Sequence, residues 1–78
     1  MTVKAYILVQ TDVGKAAEVA QAIDELSGVL TADDVTGPYD VIVTAEAPSV
    51  DDLGRLVVAQ LQKVPGITRT VTCPVVHI

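Results

Sequence analysis

The order in which two hydrophobic periods alternate along the chain is the feature that most constrains its fold. Apolar residues recur at every second position in four segments, which is the period of a β-strand. They recur at every third or fourth position in two others, which is the period of an amphipathic helix. The predicted strands cover residues 3–10, 29–36, 39–47 and 67–78, and the predicted helices cover residues 13–26 and 49–64. The resulting order is β-α-β-β-α-β.

This order predicts an α+β fold of the ferredoxin-like βαββαβ kind, with a four-stranded antiparallel sheet and two helices on one face. Thr11 and Asp12 are expected to cap the first helix. Ser49-Val50-Asp51-Asp52 resembles a capping box in which aspartate replaces glutamate, and it is expected to cap the second helix. Because 78 residues suit one domain and no more, residues 1–78 are expected to form a single domain.

The alternation also assigns side chains to the two faces of the sheet. The face under the helices is expected to carry Val3, Ala5, Ile7, Val9, Val41, Val43, Val71 and Val75. The opposite face is expected to carry Tyr6, Leu8, Leu30, Ala32, Ile42, Thr44, Thr70, Thr72 and Val76. This second set mixes apolar and hydroxyl side chains, as subunit interfaces do, and is too apolar for a solvated face. We therefore expect two copies to pack sheet against sheet, in a dimer of the dimeric α/β-barrel type.

Size and composition favour self-association and disfavour several partners. Half of the residues are apolar, but they are mostly Val and Ala, and a single core in so short a chain rarely yields more than about 3–5 kcal/mol. Cys73 has no partner cysteine, and no zinc-ligand spacing is present. A net charge of −5 disfavours direct binding to nucleic acid or to an acidic membrane. The single cysteine and the lack of a signal segment predict a cytoplasmic protein.

Three features together resemble a known family: the hairpin VTGPYDVIV (residues 35–43), the βαββαβ order, and the terminal PGITRTVTCPVV (residues 65–76). They resemble the ligand-binding domain of the Lrp/AsnC transcriptional regulators, also called the RAM domain. The most recognisable element is the Gly-x-aromatic-Asp turn. Full-length members carry an N-terminal helix-turn-helix domain, whereas this chain starts directly with the first strand. It is therefore similar to stand-alone RAM proteins, which lack the DNA-binding half.

The resemblance implies an effector sensor that binds an amino acid or a related metabolite and does not bind DNA itself. It implies dimers formed through the sheets, which assemble further into octamer- or decamer-like rings. A full-length Lrp/AsnC regulator is a further partner through mixed assembly. No cofactor and no enzymatic activity are implied. The effector is expected at the junction between dimers, lined by the hairpin and the final strand.

On this resemblance the ligand-binding residues are Gly37, Tyr39, Asp40, Thr70 and Thr72. Asp40 is expected to bind the ammonium group of an amino acid, and backbone N–H groups near Gly37 its carboxylate. Tyr39 is expected to wall the pocket, and the two threonines to add hydroxyl contacts from a neighbouring subunit. In the competing interpretation the hairpin is only a turn, Asp40 accepts hydrogen bonds from nearby backbone N–H groups, and Tyr39 packs.

Two other functional classes stay open. A small enzyme of the dimeric α/β-barrel class would use Tyr6 or His77, but the predicted helix-facing set contains no reactive group. An ACT-like regulatory domain shares the strand order and amino-acid ligands, and its sheets lie side by side instead of face to face. Cys73 and His77 are about 13 Å apart along a regular strand, too far to share a metal. The chain has no catalytic triad, phosphate loop or metal motif, and this disfavours catalysis.

Overall fold

The computed structural model describes residues 2–76 and has the predicted element order. The strands are β1 (Val3–Thr11), β2 (Val29–Asp34), β3 (Val41–Ala47) and β4 (Ile67–Pro74). The α-helices are α1 (Ala16–Asp24) and α2 (Val50–Arg55). The four strands form one sheet in the order β2-β3-β1-β4, and all neighbours are antiparallel. The predicted fold class is thereby confirmed. The predicted last residues of the final strand, including His77, lie outside the described residues.

One face of the sheet is covered by both helices, and the core lies there. Alternate residues in the middle of β1 and along β3 are buried on this face, namely Ala5, Ile7, Val9, Val41, Val43, Ala45 and Ala47. The helices cover them with Val19, Ala20, Ile23, Leu53, Leu56 and Leu61. Between residues 2 and 76 no helix is long and apolar enough to cross a membrane. Because the core is a single layer of aliphatic side chains, each of them contributes a large share of the buried area.

The second helix changes its winding part-way along. α2 continues into a π-helical turn at Leu56–Gln60 and a 3-10 turn at Leu61–Lys63. Leu56 and Leu61 are both buried, and the Leu61 N–H donates to the Leu56 carbonyl. In an α-helix, residues five apart point about 140° away from each other, so only one of them would face the core. The wider π turn brings both leucines onto the sheet.

The two predicted helix caps had different outcomes. The Ser49 Oγ accepts a hydrogen bond from the Asp52 N–H at 3.1 Å and donates one to Asp52 Oδ2 at 2.9 Å, which confirms the cap of α2. The predicted Thr11-Asp12 cap is wrong, since Thr11 ends β1 and α1 begins only at Ala16. Its N-cap is Lys15, whose side chain makes no capping hydrogen bond. Lys15 is instead held through its N–H, which donates to the Asp12 carbonyl at 3.1 Å.

The predicted faces of β4 are reversed in the structure. The register places Val71 opposite Leu8, Thr72 opposite Ile7 and Thr70 opposite Val9. Thr70 and Thr72 therefore lie on the helix-covered face. Val71 lies on the opposite face of the sheet, which no helix covers and which we call the open face. Val75 continues this register beyond β4, since its N–H donates to the Lys4 carbonyl. The helices pack mainly on the other three strands, so the helix-side positions of this edge strand did not have to be apolar.

The predicted face of Ala32 is also wrong, because β2 contains an irregularity. Val29 and Thr31 pair with consecutive residues of β3, so Leu30 is an extra residue in the ladder. Such a bulge shifts the side-chain alternation of everything that follows it. Ala32 consequently lies opposite Val43 and packs against the core.

Alanine substitutions at two glycines are expected to change the free energy of unfolding in opposite directions. Gly66, in the turn before β4, has φ +98°, and a Cβ added there would lie 3.1 Å from Cγ2 of Val19. Gly66→Ala is expected to lower the free energy of unfolding by about 1–3 kcal/mol, since alanine is strained at positive φ. Gly54→Ala, in α2 with nothing within 4 Å of the added Cβ, should raise it by about 0.5–1 kcal/mol. Urea denaturation measures both, and equal stabilities would contradict the assigned turn geometry.

Candidate functional site

A six-residue loop, residues 35–40, joins β2 to β3. Both predicted strands reached further into this segment, but β2 ends at Asp34 and β3 begins at Val41. The loop closes on itself because the Val35 N–H donates to the Asp40 carbonyl at 2.8 Å. Gly37 has φ +155°, a conformation that favours glycine, and no atom would lie within 4 Å of a Cβ there. Backbone conformation, and not crowding, therefore calls for glycine at this position.

The carboxylate of Asp40 is bound within the chain. Its Oδ2 accepts a hydrogen bond from the Thr11 N–H at 2.8 Å, and the Asp40 N–H donates to the Val9 carbonyl at 2.9 Å. Asp40 is half-buried, and Thr11 lies where the β1–β4 register shifts. This geometry agrees with the competing interpretation, in which Asp40 satisfies a nearby backbone N–H. Its predicted contact with a ligand ammonium stays a prediction.

A cavity of about 460 Å³ lies between the loop and the open face of the sheet. Its lining consists of Leu8, Val35, Thr36, Gly37, Pro38, Tyr39 and Ile42. The lining includes no charged side chain and is mostly apolar. A volume of this size is within the range of small-molecule sites, which is about 300–1,000 Å³.

The structure brings only two of the five predicted ligand-binding residues to this cavity. Gly37 and Tyr39 line it, whereas Asp40 follows them in the chain and turns its carboxylate to Thr11. Thr70 and Thr72 lie on β4, on the helix-covered face, and do not line the cavity of their own chain. Their predicted contact with a ligand held by a neighbouring subunit stays a prediction.

Leu8 and Ile42 form the floor of the cavity and were not predicted as site residues. They lie opposite each other on the two central strands. The sequence did signal their place on the open face, through the alternation of β1 and β3. It carried no sign that the loop folds back over that face.

The open face carries an apolar strip that continues from the cavity floor. Leu8 has Ile42 on one side and Val71 on the other, and Tyr6 is two residues away along β1. Tyr6 is 44% exposed and Ile42 is 36% exposed. An exposed apolar strip of this kind is typical of an interaction surface.

Neither a metal site nor a buried reactive group lies in the part of the chain that the structure describes. Within residues 2–76 no three His, Cys, Asp or Glu side chains come together to hold a metal ion. Over the same residues the core contains no buried polar or charged side chain. The space between sheet and helices, where an α/β-barrel enzyme would place its chemistry, is therefore filled with aliphatic groups.

The sequence of this chain matches a known family over nearly its whole length. A family model of the Lrp/AsnC ligand-binding domain matches residues 4–78. The chain belongs to this family. The Lrp/AsnC resemblance of the hairpin and of the last strand is thus confirmed over nearly the whole chain.

Relatives of this Lrp/AsnC domain include a longer regulator. The HTH-type transcriptional regulator PH1916 of Pyrococcus horikoshii is 31% identical over 71 residues, which cover 87% of this chain and 47% of the regulator. The chain therefore spans about half the length of that relative. The family to which the domain belongs is one of transcriptional regulators.

Solved structures share the fold of this Lrp/AsnC domain. The structure of TTHA0845 from Thermus thermophilus has a TM-score of 0.91 and 26% identity, and the match covers 97% of this chain and 95% of that one. The transcriptional regulator NMB0573 of Neisseria meningitidis, solved in complex with L-methionine, has a TM-score of 0.83 and 21% identity. That match covers 96% of this chain and 50% of the regulator, and at this identity it shows the common fold alone.

Proposed function

We propose that this Lrp/AsnC domain is an effector sensor, which binds a small amino acid-like molecule in the hairpin cavity and self-associates through the open face of its sheet. The observation that carries the proposal is the cavity of about 460 Å³ between residues 35–39 and the open face. The family assignment supports the same function.

The cavity lining favours a ligand with an apolar side chain. Leu8, Ile42 and Tyr39 offer aliphatic and aromatic surface, and burying a charged side chain against them would cost several kcal/mol. The exposed backbone beside Gly37 offers N–H groups for the ligand carboxylate, but Pro38 has no N–H to donate. An amino acid of the size of leucine or methionine fits these requirements. The L-methionine complex of the Neisseria regulator supports this class of ligand.

The open face supports the self-association part of the proposal. Its apolar strip borders the cavity, so a second copy packed on the strip would also cover the ligand. Further assembly of such dimers into rings, and mixed assembly with a full-length Lrp/AsnC regulator, complete the proposed role. The net charge of −5 supports a sensor that leaves DNA contact to such a partner.

A panel of amino acids tests the ligand. At ten times its Kd, a ligand stabilises the folded protein by about 1.4 kcal/mol, which raises the Tm by about 6–10 °C in a domain of this size. We expect such shifts with leucine, isoleucine or methionine and none with aspartate or lysine. Differential scanning fluorimetry gives the shifts, and calorimetric titration gives the affinities. No shift with any member of a complete amino-acid panel would refute the sensing function.

A pair of variants locates the binding site. Tyr39→Ala removes one wall of the cavity and is expected to weaken binding about tenfold or more, because a buried aromatic contact is lost. Val50→Ala serves as the matched control, since Val50 is exposed at the start of α2 and does not line the cavity. Equal affinities of the two variants would place the ligand elsewhere.

A further inference from the structure

Asp40 makes three hydrogen bonds at the base of the loop, one to the start of the loop and two to β1. Its carbonyl accepts from the Val35 N–H at 2.8 Å, and its N–H donates to the Val9 carbonyl at 2.9 Å. Its side-chain Oδ2 accepts from the Thr11 N–H at 2.8 Å. The loop is thereby closed at its own base and attached to β1 at two positions.

The side-chain hydrogen bond lies just beyond the end of the β1–β3 ladder, where β3 offers no backbone acceptor to β1. The ladder between β1 and β3 ends at the pair Val9–Val41, but β1 continues to Thr11. The next residue of a regular β3 to face Thr11 would be Tyr39, which instead lies in the loop and lines the cavity. The Asp40 carboxylate supplies the acceptor that the Thr11 N–H would otherwise lack. An unpaired backbone N–H at such a half-buried position is costly, so this bond opposes opening of the loop.

We propose that Asp40 is a positioning residue, whose carboxylate replaces the missing ladder acceptor and holds residues 35–39 over the open face in the shape that encloses the cavity. The carboxylate acts on the cavity through the loop, since Asp40 itself is not part of the lining. The use of that cavity as a binding site rests on the proposed function. The hydrogen bond and its effect on the loop do not depend on the proposed function.

This role differs from direct binding of a ligand ammonium in what it requires of the side chain. The positioning role requires an acceptor of the same length, and a net charge is secondary. Asp40→Asn keeps such an acceptor, and Asp40→Ala removes it. Asp40→Glu keeps the charge but moves the acceptor by one methylene. Positioning therefore predicts that the Asn variant is the mildest of the three, whereas ammonium binding predicts that the Glu variant is.

The first measurement is amide hydrogen exchange in the ligand-free protein, followed by NMR. In Asp40→Ala, exchange at the N–H groups of Thr11 and Val35 is expected to speed up by about ten- to hundredfold, because both are held through Asp40. In Asp40→Asn it should change by less than about tenfold, and the Thr11 amide proton should keep a shifted resonance that the Ala variant loses. The matched control is Asp33→Ala, an exposed acid of β2 that is adjacent to neither amide, for which no change is expected.

The second measurement is calorimetric titration of the same variants with methionine and leucine. Retained binding in Asp40→Asn together with weakened binding in Asp40→Glu and Asp40→Ala would support positioning. Unchanged exchange at Thr11 and Val35 in the Ala variant would overturn it, as would equal effects of Asn and Ala. If the Ala variant does not fold, the comparison of Asn with Glu decides the same question. If the unaltered protein binds no amino acid, the proposed function fails while the exchange data still decide the role of Asp40.

Discussion

Glutamate in place of Tyr6 is expected to abolish self-association while leaving the chain folded. Tyr6 lies on the open face of a central strand and is 44% exposed in a single chain, so the folded monomer tolerates a polar side chain there. In the proposed sheet-to-sheet dimer the same position is covered, and a carboxylate buried without a partner costs several kcal/mol. A symmetric interface carries the substitution twice. The dimer Kd is therefore expected to rise by at least about 1,000-fold.

Sedimentation velocity over a range of protein concentrations measures this effect, and circular dichroism shows whether the variant is folded. Val13→Glu is the matched control, since Val13 is an apolar residue that is fully exposed in the turn before α1. The control adds the same charge and should associate like the unaltered protein. If the Tyr6 variant also associates normally, the open face is not the interface.

Alanine in place of Ile7 is expected to leave little folded monomer. Ile7 is completely buried at the centre of β1, and removal of such a side chain costs about 2–5 kcal/mol. A single core in a domain of this size yields no more than about 3–5 kcal/mol, so the loss is of the same order as the total.

Urea unfolding followed by circular dichroism measures this loss. Lys4→Ala on the same strand is the control, because Lys4 is exposed and is expected to change the stability by less than about 0.5 kcal/mol. A variant at Ile7 that unfolds at the same urea concentration as this control would show that the core is not where the stability of the domain resides.

The central strands could be predicted in detail, and the edge strands could not. The helices cover one face of β1 and β3, where alternate residues are buried, and the alternation assigned Ile7 and Tyr6 to the correct faces. β4 is an edge strand that the helices cover little, and there Thr72 faces the core side although Val71 is the more apolar residue. In β2 a single extra residue, Leu30, shifts the alternation, and no local sequence signal marks it.

The sequence indicated where the candidate site lies, but it did not predict the contacts that form the site. The Gly-x-aromatic-Asp turn pointed to the loop that encloses the cavity. The hydrogen bond between Asp40 and Thr11 joins residues 29 positions apart, and Leu8 reaches the cavity from another strand. Contacts of this kind depend on where the loop packs on the sheet. The local sequence pattern carries no information about that position.

Leu8 and Ile42 belong both to the floor of the cavity and to the exposed strip of the sheet. A molecule in the cavity and a chain packed on the strip therefore touch the same two side chains. Thermodynamic linkage then requires reciprocity: whatever factor occupancy of the cavity applies to pairing of the chains, pairing applies to occupancy. On the proposed function, metabolite level and protein abundance are exchangeable inputs to a single equilibrium.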